Sequence, residues 1–295
     1  MVHKSGFVNI IGNPNAGKST LINLLVGEKI SIINAKAQTT RHRIMGIVND
    51  TDFQIIYSDT PGLLKPAYKL QEGMMRFVNN ALQDADLFLL VVDINEKELN
   101  DEKILETLRT SSTPVFVLLN KVDTSRANKT EEMLAYWKGL LPNAEIFPIS
   151  ALHHFNMEVV KEKIIKVLPE HPPFFPKEDN EITDKTERFL VSEIIREKVL
   201  DLYHKEIPYS TEIVIVEFKE KEKLFSIRAE IRVERDSQKG IIIGHKGEAL
   251  KKLGTIAREE IETFLGKKVF LDLHVKVDKN WRNEEQKLKR YGYWT

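Results

Sequence analysis

The sequence predicts two domains: a doubly wound α/β domain built on a mostly parallel sheet, followed by a smaller α+β domain. Length, apolar periodicity and one proline-rich stretch carry that prediction. At 295 residues, 42% of them hydrophobic, the chain exceeds the roughly 100 to 200 residues of one ordinary domain and has apolar side chains for two cores. Short apolar runs alternate with longer amphipathic segments through the first half, as parallel strands separated by crossover helices do. Leu168 to Asp184 (LPEHPPFFPKEDNEITD) then holds four prolines and several charges with no helical or alternating period, which reads as a linker. The expected boundaries are 1–168 for the first domain, 169–184 for the linker, 185–278 for the second domain and 279–295 for a basic and aromatic tail.

In chain order, Val8 to Ile11, Phe53 to Tyr57, Leu87 to Val92 and Val115 to Leu119 are the strand candidates of the first domain. Ligands of such sheets bind in loops at the carboxyl ends of the strands, so the chemistry is expected there. The second domain opens with a helix, because Phe189, Val191, Ile194, Ile195, Val199 and Leu202 follow helical spacing. Thr211 to Phe218 is a further strand candidate. Phe225 to Val233 and Val269 to Val277 alternate apolar and polar residues, as half-buried strands do, and Glu248 to Leu265 is an amphipathic helix between them.

Composition narrows the function classes. Basic and acidic residues balance at 44 each, so any attraction to nucleic acid or an anionic membrane must come from a local patch. The absence of cysteine excludes disulfides, thiolate catalysis and thiolate zinc sites. The longest apolar run, Leu87 to Val92, is far shorter than the roughly 20 residues of a membrane-spanning helix, and the first residues have no signal-peptide pattern. A cytoplasmic protein is the expectation.

Gly12-Asn13-Pro14-Asn15-Ala16-Gly17-Lys18-Ser19-Thr20 follows a strand and precedes a helix, the context of a phosphate-binding P-loop. Glycines let backbone N–H groups close on phosphate oxygens, the helix N-terminus adds positive potential, Lys18 reaches the outer phosphates, and the Ser19 hydroxyl ligates Mg²⁺. Asp59-Thr60-Pro61-Gly62 ends a second strand, where a carboxylate holds Mg²⁺ and the Gly62 N–H meets the γ-phosphate. Asn120-Lys121-Val122-Asp123 ends a third. There the Asp123 carboxylate accepts from guanine N1–H and the 2-amino group, whereas adenine offers neither donor and would leave it unpaired, so GTP is favoured over ATP. The backbone N–H groups of Ser150 and Ala151 are expected to meet guanine O6.

These four motifs, with Gln38-Thr39-Thr40-Arg41 as a fifth between the first two, resemble in their order the translation-factor-related class of P-loop GTPases. The resemblance makes Lys18, Thr40, Asp59 and Gly62 the catalytic set and Ser19, Thr40 and Asp59 the Mg²⁺ ligands, with Thr39 an alternative to Thr40. One position departs from it: Leu63 stands where Ras-like enzymes place the glutamine that orients the attacking water, which predicts slow intrinsic turnover. Asn15 is the P-loop residue some relatives use to hold K⁺, which makes potassium stimulation an expectation.

In the second domain, Gly244-His245-Lys246-Gly247 lies between the apolar run Ile241-Ile242-Ile243 and the amphipathic helix. The element order and this loop resemble a type II KH domain, whose GxxG loop clamps about four nucleotides. Lys246, Lys251 and Lys252 would contact phosphates and Ile241 to Ile243 would line the base groove; a solvated charged helix after a turn is the alternative. In the tail, basic residues including Arg282 interleave with Trp281, Tyr291, Tyr293 and Trp294, a pattern that suits either stacking on nucleic acid or packing of a terminal helix. His153 and His154 read as loop histidines and Glu259 and Glu260 as a solvated helix face.

A P-loop GTPase followed by a KH domain resembles the Era family of bacterial GTPases of small ribosomal subunit assembly. Lys36-Ala37-Gln38-Thr39-Thr40-Arg41-His42-Arg43, Ile182-Thr183-Asp184 and Glu206-Ile207-Pro208-Tyr209-Ser210 support that likeness. It implies GTP/GDP and Mg²⁺ as ligands, the 3′ end of 16S rRNA and the 30S subunit as partners, and peripheral association with the inner membrane; it does not imply a stable oligomer. The rival readings are an RNA-binding assembly factor with a structural nucleotide, and a GTPase whose second domain contacts protein or membrane.

Overall fold

The computed structural model describes residues 2–177 and 181–294; Glu178, Asp179 and Asn180 of the expected linker lie outside the described residues. The chain forms two compact units whose main division falls between Asp184 and Lys185.

The first unit runs β1 (Lys4–Ile11), α1 (Lys18–Val26), β2 (Ile44–Asn49), β3 (Phe53–Asp59), α2 (Lys69–Gln83), β4 (Leu87–Asp93), α3 (Glu102–Thr110), β5 (Val115–Asn120), α4 (Ala127–Leu140), β6 (Glu145–Pro148) and α5 (Met157–Val167). Its six strands lie in the order β2-β3-β1-β4-β5-β6. Only β2 is antiparallel, joined to β3 by the turn at 50–52 and sitting at the sheet edge; the remaining strands pair in parallel. Parallel neighbours need crossover connections, which cover the sheet faces and bury the strands. This accounts for the near-continuous apolar runs: Leu87 to Leu90 of β4 and Phe116 to Leu119 of β5 are all buried. Ile11, Asp59 and Asn120 close β1, β3 and β5, so the P-loop and the DTPG and NKVD motifs leave the sheet at its carboxyl edge.

The proline-rich segment lies against this unit. Its Glu170 bridges to Lys4, and Thr183 bridges to Gly46. The Phe174 ring packs 4.9 Å from that of Phe7, and the Gln54 carboxamide bonds the backbone at Phe174 and Phe175. Proline stiffness suits a chain laid along a sheet without continuing it.

The second unit runs α6 (Glu187–Leu202), α7 (Ile207–Ser210), β7 (Glu212–Glu220), β8 (Leu224–Val233), α8 (Asp236–Ile243), α9 (Glu248–Leu265), β9 (Lys268–Val277) and α10 (Glu285–Arg290). The sheet order is β7-β8-β9, with β7 antiparallel and β9 parallel to β8. The α8–α9 crossover that the parallel pair requires places Gly244 to Gly247 between two helices. Alternation along β8 puts Phe225, Ile227, Ala229, Ile231 and Val233 into a core shared with α6 and α9. The tail joins this unit: Trp281 is fully buried and donates from Nε1 to the Ser210 carbonyl at 3.0 Å, while Tyr293 is 2% exposed and its hydroxyl donates to Glu212 at 2.7 Å. Of the two readings of the tail aromatics, these two rings take the packing one.

Candidate nucleotide site and nucleic-acid interface

The P-loop turns from β1 into α1 through Gly17, at φ +99°. There the chain passes so close to β5 that a Cβ would lie 2.2 Å from Asn120 Nδ2. That amide donates to the Ala16 carbonyl at 2.8 Å, and its Oδ1 accepts from the Ala151 N–H at 3.0 Å. Asn120 therefore ties the P-loop to the loop after β6. Lys121 continues the link, its ammonium bonding the Asn15 carbonyl and Asp93.

Lys18 is buried, its ammonium held by the carbonyls of Gly12 and Asn13 at 3.0 and 2.7 Å. Burial lowers its pKa to about 8, opposed by the charges of Asp59 and Glu96. Ser19 Oγ lies 2.9 Å from both Thr40 Oγ1 and Asp59 Oδ2, and Thr40 Oγ1 donates to that same oxygen at 3.1 Å. The three expected metal ligands are thus in mutual contact. Ser31, which no sequence motif marked, adds a third hydroxyl at 2.7 Å. Burial raises the Asp59 pKa against the pull of Lys18 and these hydroxyls, and Asp59 Oδ1 is buried with no hydrogen-bond partner. A buried carboxylate with one unsatisfied oxygen beside three hydroxyls fits a small, hard divalent cation. Thr39 instead turns into its own loop, donating to the Lys36 and Asn34 carbonyls, so the geometry separates the two threonines.

Gly62 sits over the P-loop, where an added Cβ would meet Pro14 backbone atoms at 2.8 Å. Leu63 is fully buried in the apolar cluster with Met75, Val78 and Ile94. Asn15, Lys18, Ser19, Thr40, Gly62 and Lys121 line one cleft; Asn13, buried at its side, faces the loop after β4.

The base end departs from expectation in one respect. Asp123 is exposed, with Oδ1 accepting from the Ser150 hydroxyl at 2.5 Å. The two N–H groups expected to meet guanine O6 are already engaged: Ser150 N–H donates to the Phe155 carbonyl and Ala151 N–H to Asn120. A turn closed by the Ser150–Phe155 bridge takes the first, and the Asn120 carboxamide takes the second.

In the second unit, Gly244, Lys246 and Gly247 all have positive φ, at 71°, 48° and 82°, which folds the loop back between α8 and α9. His245, Lys246, Lys251 and Lys252 are exposed. Ile241 to Ile243 form the last turn of α8, so helical rotation separates them: Ile242 is fully buried in the core and cannot line a groove, while Ile241 is 50% exposed. A groove of mixed character beside the loop is lined by Leu250, Lys251, Gly254, Arg258, Leu271 and Leu273. Leu271 and Leu273 were legible as strand residues but carried no sign of a groove. Arg282 is engaged within the domain, paired with Glu234 and bonded to the Tyr209 carbonyl. Glu260, read as solvated, pairs with Lys198 at 2.5 Å.

A guanine-type base motif joined to a P-loop, with a GxxG loop between two helices in the second unit, defines a P-loop GTPase carrying a KH domain. Residues 7–121 match the family described as 50S ribosome-binding GTPase, and residues 206–282 match the KH domain family. The chain is 46% identical to GTPase Era of Clostridium kluyveri over 98% of its own length and 99% of the relative's, and 45% identical to GTPase Era of Staphylococcus haemolyticus over 99% and 97%. It superposes with a TM-score of 0.94, at 39% identity, on Era in complex with MgGDPNP and nucleotides 1506–1542 of 16S ribosomal RNA, covering 99% of this chain and 100% of that one. A variant of Aquifex aeolicus Era bound to GDP and aluminium fluoride gives the same TM-score and identity. The chain belongs to the Era family of GTPases.

Proposed function

We propose that this chain is a GTP-driven switch of small ribosomal subunit assembly, binding the 3′ end of 16S rRNA through its KH domain when Mg²⁺ and GTP occupy the first domain. The convergence of Ser19, Thr40 and Asp59 within 2.9 to 3.1 Å carries the reading, because it joins the P-loop, the first switch loop and the DTPG strand end at one point. Bound there, Mg²⁺ would neutralise charge on the β- and γ-phosphate oxygens. Lys18 holds the outer phosphates, the Gly62 N–H is aimed at the γ-phosphate, and Asp123 reads guanine. Water attacks the γ-phosphorus, the bond to the β-bridging oxygen breaks, and GDP and phosphate leave. Buried Leu63 cannot orient that water, so intrinsic turnover is slow. Asn15, lining the cleft, is the proposed K⁺ ligand; equal hydrolysis rates in sodium and potassium would remove that assignment.

The KH side rests on exposed Lys246, Lys251 and Lys252 around the GxxG loop and on the groove of leucines and basic side chains beside it. The reading places the chain in the cytoplasm, and among the described residues no helix is long and apolar enough to cross a membrane. The test is binding of labelled RNA copying nucleotides 1506–1542 of 16S rRNA, with GDP and with a nonhydrolysable GTP analogue, at two salt concentrations. Selective binding that is stronger with the analogue is expected. Salt sensitivity alone would report phosphate attraction, and binding no better than to scrambled RNA would sink the RNA reading in favour of a protein or peripheral membrane partner.

A further inference from the structure

Beside the nucleotide cleft, two asparagines outside the established motif roles form a continuous link. Asn13, the second P-loop residue, is buried, and its side chain faces away from the cleft into the loop that follows β4. Its Oδ1 accepts from the Asn100 backbone N–H at 2.9 Å, and its Nδ2 donates to the Glu98 carbonyl at 2.8 Å and to Glu96 Oε2 at 3.1 Å. One carboxamide thus meets a backbone donor and a backbone acceptor, which fixes its orientation. Asn100 in turn donates from its side-chain Nδ2 to the Leu63 carbonyl at 3.0 Å. The N–H of Leu63 donates to the Gly12 carbonyl at 3.1 Å, and that carbonyl also accepts from Lys18.

Leu63 is therefore pinned at both backbone groups, one by the P-loop and the other by Asn100. Its side chain is anchored in the apolar core. Directly before it, Gly62 sits against Pro14, where its N–H serves the γ-phosphate on the reading proposed above. We propose that Asn13 and Asn100 are positioning residues that hold the Gly62–Leu63 segment closed over the P-loop, so that they selectively strengthen GTP over GDP and support hydrolysis without touching the nucleotide. Loss of the glutamine function at position 63 makes this geometry matter more. With no side chain to place water, the backbone at Gly62 and Leu63 must be held by its surroundings, and the structure supplies that hold from the loop at 96–100. GDP has no γ-phosphate for Gly62 to meet, so the link should leave its affinity alone.

This inference rests on the GTPase reading of the same cleft, and its test separates the two. Asn100 is exposed, so Asn100→Ala should fold normally, and Asn100→Asp keeps the size while turning a donor into a charged acceptor facing the Leu63 carbonyl. GDP and a nonhydrolysable GTP analogue would be titrated into the full chain and both variants, and kcat and KM for GTP measured. Asn100→Ala should weaken the analogue roughly two- to tenfold, the span of one neutral hydrogen bond, and lower kcat by a similar factor, with GDP affinity unchanged. Asn100→Asp should be worse on both counts. Equal loss for GDP and the analogue, or no change in either the affinity ratio or kcat, would overturn the positioning role. Failure of the unaltered chain to bind either nucleotide would instead overturn the GTPase reading.

Discussion

Gly17→Ala asks whether the P-loop is held by Asn120 as the geometry demands. Two costs can be separated. Alanine at φ +99° costs about 1 kcal/mol of backbone strain. The new methyl would lie 2.2 Å from Asn120 Nδ2, forcing the carboxamide away from the Ala16 carbonyl and the Ala151 N–H. Two hydrogen bonds at about 1 kcal/mol each, in a buried setting where orphaned groups cost more, bring the total to about 3–4 kcal/mol. Should most of it fall on binding, GDP affinity would drop by on the order of a hundred- to a thousandfold. Gly27→Ala is the matched control: its φ is +84°, yet nothing lies within 4 Å of the added Cβ, so it should lose about 1 kcal/mol of stability and keep its affinity. Competition with fluorescent GDP, alongside thermal unfolding without nucleotide, measures both terms. If Gly17→Ala bound and melted like Gly27→Ala, steric contact with Asn120 could not be what the glycine avoids.

Three further outcomes are expected. Burial lowers Lys18 to about 8, so the nucleotide-free fold binds fewer protons than the unfolded chain above that pH and gains stability as pH rises from there toward the ordinary lysine value. GDP restores the ammonium, so its affinity should decline above pH 8 with proton uptake visible by calorimetry in buffers of different ionisation enthalpy; zero uptake would contradict the assignment. Gly247→Asp places an acid at φ +82°, where no atom lies within 4 Å of the added Cβ. It should fold and hydrolyse GTP normally but lose at least about tenfold in RNA affinity, and retained RNA binding would point to another partner surface. Trp281→Ala empties a fully buried site and should destabilise the second unit by about 3–5 kcal/mol in denaturant unfolding, whereas an unchanged midpoint would show the tail to be dispensable.

The seven strand candidates and the helices α6 and α9 were legible because both periods were strong, whereas the edge strand β2 and the short helices carried too little pattern to be placed. Glu248 to Leu265 was bounded by glycine on either side, and β8 alternated without a break. The nucleotide site was legible because its motifs follow strand ends in order. What escaped were contacts made between segments distant in sequence. Ser31 belongs to no motif and reaches Asp59 only through folding. The burial of Ile242 was hidden because three consecutive isoleucines carry no helical phase of their own, and only the preceding Asp236 to Gly240 segment of α8 fixes it. The Ser150 and Ala151 N–H groups could not be assigned from sequence, since their acceptors, Phe155 and Asn120, depend on how the turn closes.

The chemistry of Asp59 ties these parts into a switch. Three hydroxyls and Lys18 favour its charge, yet burial still holds its pKa up, and one oxygen finds no partner. The ionised carboxylate is thus under-satisfied by protein alone, and among the described residues no cluster of three or more His, Cys, Asp or Glu offers a self-sufficient metal site. A divalent cation held by Ser19, Thr40 and Asp59 would need further oxygens, which phosphate and water can supply. Thr40 reaches this centre from a loop with only a 3.1 Å bond to Asp59 and a 2.9 Å contact to Ser19. On the reading proposed above, Thr40 would share the cation with the γ-phosphate oxygens, and hydrolysis would remove that hold on its loop. The same reading would make the order of the first switch loop depend on the third phosphate, and Gly62, packed against Pro14, would answer to the same group.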